Sequence, residues 1–267
     1  MSIAGGAAVQ KSLKLGTTWA PWPSFDEEQV EAVSSILRSG KINQWTGHCV
    51  WDFEREYAQS LGRKHAIALM NGTVALELAL LALGVQAGDE VITTPRTFIA
   101  SASSAAMLGA RPVFADVDRD SGNITAETIE PMIGSRTKAI VVVHLGGWPA
   151  DMPAIMELAA SRGIEVIEDC AQAHGARKAN RPVGTFGRIA AFSFCQDNII
   201  TTGGEGGLVA LDDEELWRRS WSYKDHGKDY DLALRTEHPY GFRWLHTDFG
   251  SNWRMTEMQS ALGSIQL

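Results

Sequence analysis

The chain has 267 residues, 45% of them hydrophobic and 21% charged, the proportions of a folded protein rather than a disordered one. Its 24 Lys and Arg against 32 Asp and Glu give a formal net charge of −8, so no basic excess is available to displace counterions and nucleic acid is excluded as a partner. No apolar run approaches the ~20 residues of a membrane span and the N-terminus has no apolar signal core, so a cytoplasmic protein with no membrane partner is expected.

Residues 1–23 read as an extended lead-in ending in Trp19-Ala20-Pro21-Trp22-Pro23. Ser24 and Glu27 make a capping-box pattern, with Ser24 at the N-cap of a helix whose apolar face is Val30, Val33, Ile36 and Leu37 and whose stop is Gly40. A second helix is expected over 50–61. From there strands (65–70, 90–93, 112–115, 139–143, 164–168) alternate with helices (74–83, 98–108, 125–133, 151–163). Thr125 and Asp151 stand as N-caps of the last two helices. Short apolar runs separated by amphipathic helices are the signature of parallel βαβ units. A loop or hairpin is expected over 182–187. The runs 190–194 and 208–211, on either side of a glycine cluster, supply the last strands, one of them antiparallel. The end, 255–267, reads as a helix with Met258, Leu262 and Ile265 on one face, exposed unless something covers them. The three widely spaced cysteines, Cys49, Cys170 and Cys195, read as reduced thiols rather than a disulfide frame or zinc site.

In an open α/β sheet, ligands sit beyond the carboxyl ends of the strands. The residues there are Asn71-Gly72-Thr73, Arg96-Thr97-Phe98, His144-Leu145-Gly146, Asp169-Cys170-Ala171-Gln172, and Ser193 through Asn198. Asn71-Gly72-Thr73 opens a helix, which makes it either a simple cap or a phosphate site built on unpaired amides. Phe98 alone would be a core aromatic. Asp169 ends an apolar strand, where a carboxylate is costly without a partner, or else it caps the next helix. Asn252 lies in a polar loop ahead of the last helix.

Four stretches then join these positions. They are Met70-Asn71-Gly72-Thr73-Val74-Ala75-Leu76, Glu168-Asp169-Cys170-Ala171-Gln172-Ala173-His174-Gly175-Ala176, the run from Phe192-Ser193-Phe194 to Gly203-Gly204-Glu205-Gly206-Gly207, and Gly250-Ser251-Asn252-Trp253-Arg254-Met255-Thr256-Glu257. Together they resemble the DegT/DnrJ/EryC1/StrS family of pyridoxal-phosphate-dependent sugar aminotransferases, from about residue 22 to the end. The resemblance implies a three-layer α/β/α fold with a mostly parallel sheet, the large domain of fold type I, over 24–254. It implies that 255–267 begins a helix leading to a small domain absent here, as in a fragment. It implies Gly72, Thr73 and Ser193 as donors to the cofactor phosphate, Phe98 stacked on the pyridine ring, and Asp169 paired with the ring nitrogen. Gln172 would approach the phenolic oxygen, and Asn252 would reach the phosphate bound by a neighbouring subunit in a homodimer. The implied substrates are a nucleotide-linked keto-sugar and an amino donor such as glutamate, in amino-sugar biosynthesis.

Asn198 occupies the place of the family's Schiff-base lysine. Its amide is neither nucleophilic nor basic, so pyridoxal or pyridoxamine phosphate is expected to bind non-covalently and transamination to be crippled. An altered but once active enzyme, and a non-catalytic or regulatory partner of an intact homologue, are the alternatives. Lys178, in a surface loop, and Lys224, toward the substrate side, do not have the register to substitute.

Overall fold

The computed structural model describes residues 21–237, 240–241, 243 and 245–267. Residues 1–20, most of the expected lead-in, lie outside them. The strands are β1 (His65–Leu69), β2 (Glu90–Thr93), β3 (Arg111–Phe114), β4 (Thr137–Val143), β5 (Glu165–Asp169), β6 (Arg177–Lys178), β7 (Arg181–Pro182), β8 (Ile189–Ser193) and β9 (Gly207–Leu211). The α-helices are α1 (Glu27–Ser39), α2 (Cys49–Leu61), α3 (Gly72–Ala82), α4 (Ala100–Met107), α5 (Ala126–Ile129), α6 (Met152–Arg162), α7 (Glu214–Lys224), α8 (Tyr230–Leu234) and α9 (Glu257–Gln266).

Seven strands form one sheet in the order β1-β9-β8-β5-β4-β2-β3. The pairs β8–β5, β5–β4, β4–β2 and β2–β3 are parallel, and β9 runs antiparallel to both β8 and β1. β6 and β7 pair apart from it as a small hairpin, five residues ahead of the loop or hairpin expected over 182–187, of which 183–187 is loop.

Alternation along the strands builds the layers, because successive side chains point to opposite faces. Ile67, Leu69, Val91, Val141, Ile167, Ala191 and Val209 pack on one face against α3, α4 and Trp221 of α7. On the other face, Ala66, Ala68, Phe192 and Leu208 meet Val50, Phe53 and Tyr57 of α2, while Ile92, Ile140 and Val166 meet Met152, Ile155 and Ala159 of α6. The expected three-layer α/β/α arrangement is the one observed. Among the described residues no helix is long and apolar enough to cross a membrane, and the three cysteines are free.

Several local expectations need correction. The first capping box is formed by Asp26 and Gln29, not Ser24 and Glu27: Gln29 N–H donates to Asp26 Oδ1 at 3.0 Å and Asp26 N–H to Gln29 Oε1 at 2.9 Å. The apolar stripe of that helix is exposed at Val30 and Leu37, and α1 packs chiefly on α9. Asp151 sits at an N-cap position but makes no side-chain cap; its carboxylate lies 3.4 Å from Lys178 Nζ. Helix 125–133 is shorter than expected, α5 passing into a 3₁₀ turn over Glu130–Met132. Helix α7 has no counterpart among the expected elements.

The apolar face of the last helix is in large part covered. Leu262 is buried, Met258 and Ile265 are half-buried, and α9 docks on α2 with Gly263 against the Phe53 ring. Glu257, fully buried, accepts from Cys49 N–H at 2.7 Å and Val50 N–H at 3.2 Å. Its charge thus meets the unpaired amides and positive dipole end of α2. Glu257→Ala is expected to cost about 1–3 kcal/mol of stability by stranding those buried amides, read as a lowered urea midpoint.

Candidate functional site

The parallel strands bring Asn71, Thr94, His144, Cys170 and Phe194 to one edge of the sheet. Beside it opens a cavity of about 420 Å³. Its wall includes Gly72, Thr73, Phe98, Asp169 and Ser193 among the predicted residues.

Asn71 does cap α3, accepting from Val74 N–H at 3.0 Å. The cap and the phosphate readings are compatible, because a cap leaves the first-turn amides of Gly72 and Thr73 without carbonyl partners. Close approach explains two glycines. A Cβ on Gly72 would lie 2.6 Å from Ser193 Cβ, and one on Gly207 would run into the Asn71 carbonyl. The β1–α3 turn can therefore lie directly on the β8–β9 strand pair. Gly72→Ala is expected to push Ser193 and the turn apart and to weaken phosphate-ester binding by about tenfold, read as a raised Kd in a fluorescence titration.

Asp169 is 5% exposed, at the end of β5. Its Oδ2 accepts from Ser101 Oγ at 2.7 Å and its Oδ1 from Ala171 N–H at 3.2 Å. Burial pushes its pKa up, against the pull of those two donors, so a cationic partner in the cavity would relieve it. Phe98 is 69% exposed at the cavity wall, a ring uncovered on its own chain rather than a core aromatic. Ser101 was not expected from the sequence; its signal is its place one turn along from Phe98, on the cavity side of α4.

Asn198 is half-buried and is not part of the cavity wall. Its Nδ2 donates to Ser193 Oγ at 2.8 Å. Gln172 is exposed, and its Oε1 accepts from Gly146 N–H at 2.7 Å. Asn252 is exposed in a segment that pairs with Asp225. Neither of these two lines the cavity.

His144 is turned away from the cavity. Its Nδ1 accepts from Ala150 N–H at 3.1 Å, so its Nε2 donates to Glu168 Oε2 at 3.1 Å. Glu168 is further satisfied by the amides of Gly184, Phe186 and Gly187. Burial raises its pKa, but the bond from His144 and these amides more than offset it and hold the carboxyl below its usual value. The His144, Glu168 and Cys170 side chains lie within ligand distance of one another, but this pairing already accounts for the polar atoms of the first two.

Lys224, expected toward the substrate side, does not stand toward the cavity. It is fully buried between Trp51 and Trp221, donates to Gln44 Oε1 at 2.6 Å, and has its pKa lowered to about 8 by burial. It is no part of the cavity wall.

His174 bonds Tyr57 and the Ser193 carbonyl, and burial lowers its pKa to about 4. The unfolded chain takes up this proton near pH 6.5 and the folded one only near 4. Stability is therefore full above pH 6.5 and lost as pH falls toward 4, by on the order of 2 kcal/mol after discounting for partial exposure. The urea midpoint of the wild type should therefore fall relative to that of His174→Gln as pH is lowered from 6.5 toward 4.

The model of the DegT/DnrJ/EryC1/StrS aminotransferase family matches residues 23–267. The chain belongs to this family. GDP-perosamine synthase of Escherichia coli O157:H7 is 42% identical over 245 residues, 92% of this chain and 64% of the relative. The solved structure of an aminotransferase from Psychrobacter cryohalolentis superposes with a TM-score of 0.91 at 57% identity, covering 93% of this chain and 63% of that one. That of NtdA from Bacillus subtilis, which has the cofactor PMP bound, superposes with a TM-score of 0.79 at 28% identity, over 92% of this chain and 55% of that one. The chain thus spans somewhat less than two thirds of the length of these relatives. Family members are PLP-dependent sugar aminotransferases, so the comparison supports the expected cofactor class. The cavity fits such a group: its wall carries a glycine at a helix start, a hydroxyl, a desolvated carboxylate and an uncovered aromatic ring.

Proposed function

We propose that this chain is the cofactor-binding part of a sugar aminotransferase that holds pyridoxal or pyridoxamine phosphate without a covalent bond. The observation that carries this is the sharing of one cavity by Gly72, Thr73, Phe98, Asp169 and Ser193. When bound, the cofactor supplies an electron-withdrawing ring to which an amino group can be passed. The chain's residues do the rest.

The α3 amides at Gly72 and Thr73, with the Ser193 hydroxyl, take the phosphate. The Asp169 carboxylate holds a proton at the ring nitrogen, and Phe98 covers one face of the ring. Gln172, freed from Gly146, reaches the phenolic oxygen, and Asn252 serves the site of a second copy. Asn198 keeps its bond to Ser193 but offers no basic group to carry a proton. Loss of that role lowers turnover by about 10²–10⁴-fold. The amino acceptor is a nucleotide-linked keto-sugar, the donor an amino acid such as glutamate, and the assembly a homodimer.

Titration with pyridoxal phosphate should give saturable binding, yet borohydride should leave no cofactor on the protein after denaturation. Covalent labelling in the wild type would refute non-covalent attachment. Absence of any binding would remove the cofactor from the proposal altogether.

A further inference from the structure

The Ser193 carbonyl lies beyond the end of the neighbouring strand. The last β5–β8 pair joins Asp169 to Ala191, and Cys170 N–H donates to the Ala191 carbonyl at 2.8 Å. Carbonyls on one edge of a strand recur every second residue, so the next on that edge belongs to Ser193, where β5 has ended. An unpaired carbonyl there would be costly. His174 supplies the partner, with Nε2 at 2.8 Å from it, and Tyr57 Oη lies 2.7 Å from His174 Nδ1.

These two contacts fix the tautomer. A carbonyl only accepts, so the ring proton is on Nε2, and Nδ1 accepts from the Tyr57 hydroxyl. The ring is set edge-on to Tyr57 and is flanked by Phe192 and Phe194 at centroid distances of 5.6 and 5.3 Å. On the other side of the same residue, Ser193 Oγ lines the cavity, accepts from Asn198 Nδ2, and lies under Gly72.

We propose that His174, oriented by Tyr57, is a positioning residue for the phosphate side of the cavity. It fixes the Ser193 carbonyl and with it the Ser193 hydroxyl and the turn that carries residue 198. This deepens the proposed function and rests on the cavity being the site of pyridoxal or pyridoxamine phosphate.

Three variants separate positioning from general stability. His174→Phe keeps a ring but loses both bonds, His174→Gln keeps an N–H donor, and Tyr57→Phe removes only the hydroxyl that orients the ring. Amide hydrogen exchange without cofactor is followed at 194–198 and, as a control, in β4 and β5. Affinity is measured with pyridoxamine phosphate, which needs no covalent bond.

His174→Phe should speed exchange at 194–198 by about tenfold, leave β4 and β5 protected, and weaken pyridoxamine phosphate by about tenfold, the scale of one buried hydrogen bond. His174→Gln should restore both to within about threefold of wild type. Tyr57→Phe should fall between them, and it carries the test if the Phe variant does not fold. Unchanged exchange at 194–198 overturns the positioning role, as does faster exchange throughout the sheet. Faster local exchange in a protein whose wild type binds no pyridoxamine phosphate leaves the positioning role standing and removes the proposed function instead.

Discussion

Asn198→Lys is expected to convert loosely held cofactor into a covalent complex that borohydride fixes at one cofactor per chain. The site already has the other parts such a lysine needs. Residue 198 follows β8 by five positions from Ser193, and its side chain reaches Ser193 Oγ on the cavity wall. A lysine there has the length to pass that hydroxyl and enter the cavity, where partial desolvation lowers its pKa and raises the share of free amine. The proton transfer that asparagine cannot perform should then gain about 10²–10⁴-fold. Absorbance change on adding cofactor, followed by mass measurement after borohydride, checks the covalent bond. Stopped-flow mixing of the loaded variant with an amino donor checks the proton transfer. A variant that binds cofactor as tightly as wild type yet labels no better would show that residue 198 does not face the reacting carbon.

Asp169→Asn should have opposite effects on the free and the loaded protein. In the free protein the carboxylate is desolvated, with only Ser101 and Ala171 as donors, and its pKa is raised by burial. A carboxyl whose folded pKa lies above its unfolded value costs stability once both states are ionised. The cost is present at neutral pH and is relieved as pH falls through the folded value toward 3.8. The neutral amide removes it, so the free variant should be as stable as wild type or more so. With cofactor bound, the carboxylate faces a cationic ring nitrogen, and removing one member of a buried pair costs about 3–5 kcal/mol, or roughly 200- to 5,000-fold in affinity. Denaturation midpoints with and without pyridoxamine phosphate test both signs. Equal affinity in the two proteins would mean that Asp169 does not meet the ring.

The residues proposed for the site came from the resemblance of four short stretches to the family, and local signals marked only where to look. A glycine at a strand-to-helix turn, a lone acid ending an apolar strand and a serine at the tip of a buried run can each be read within a window of a few residues. The partners of those residues could not be read this way. Ser101 and Asp169 are 68 positions apart, and Tyr57 and His174 are 117 apart. Helix α7 was hidden for a related cause: its inward positions include Ser220 and Lys224 as well as Trp221, so its buried face does not read as apolar.

By itself the sequence determined the alternation of strands and helices, the mostly parallel sheet, and the edge of that sheet beside which the cavity opens. Period-two and helical patterning, with glycine and capping residues as stops, are properties of neighbouring residues and survive without any knowledge of the fold. The tertiary structure alone decided that Asp26 rather than Ser24 caps α1, that Glu257 caps α2, that Lys224 is walled in by tryptophans, and that His174 completes a strand edge left open by β5. Each of these depends on which polar group lies within about 3 Å of another once distant segments are packed. Several side chains could satisfy the same local pattern, and only the packed backbone selects one.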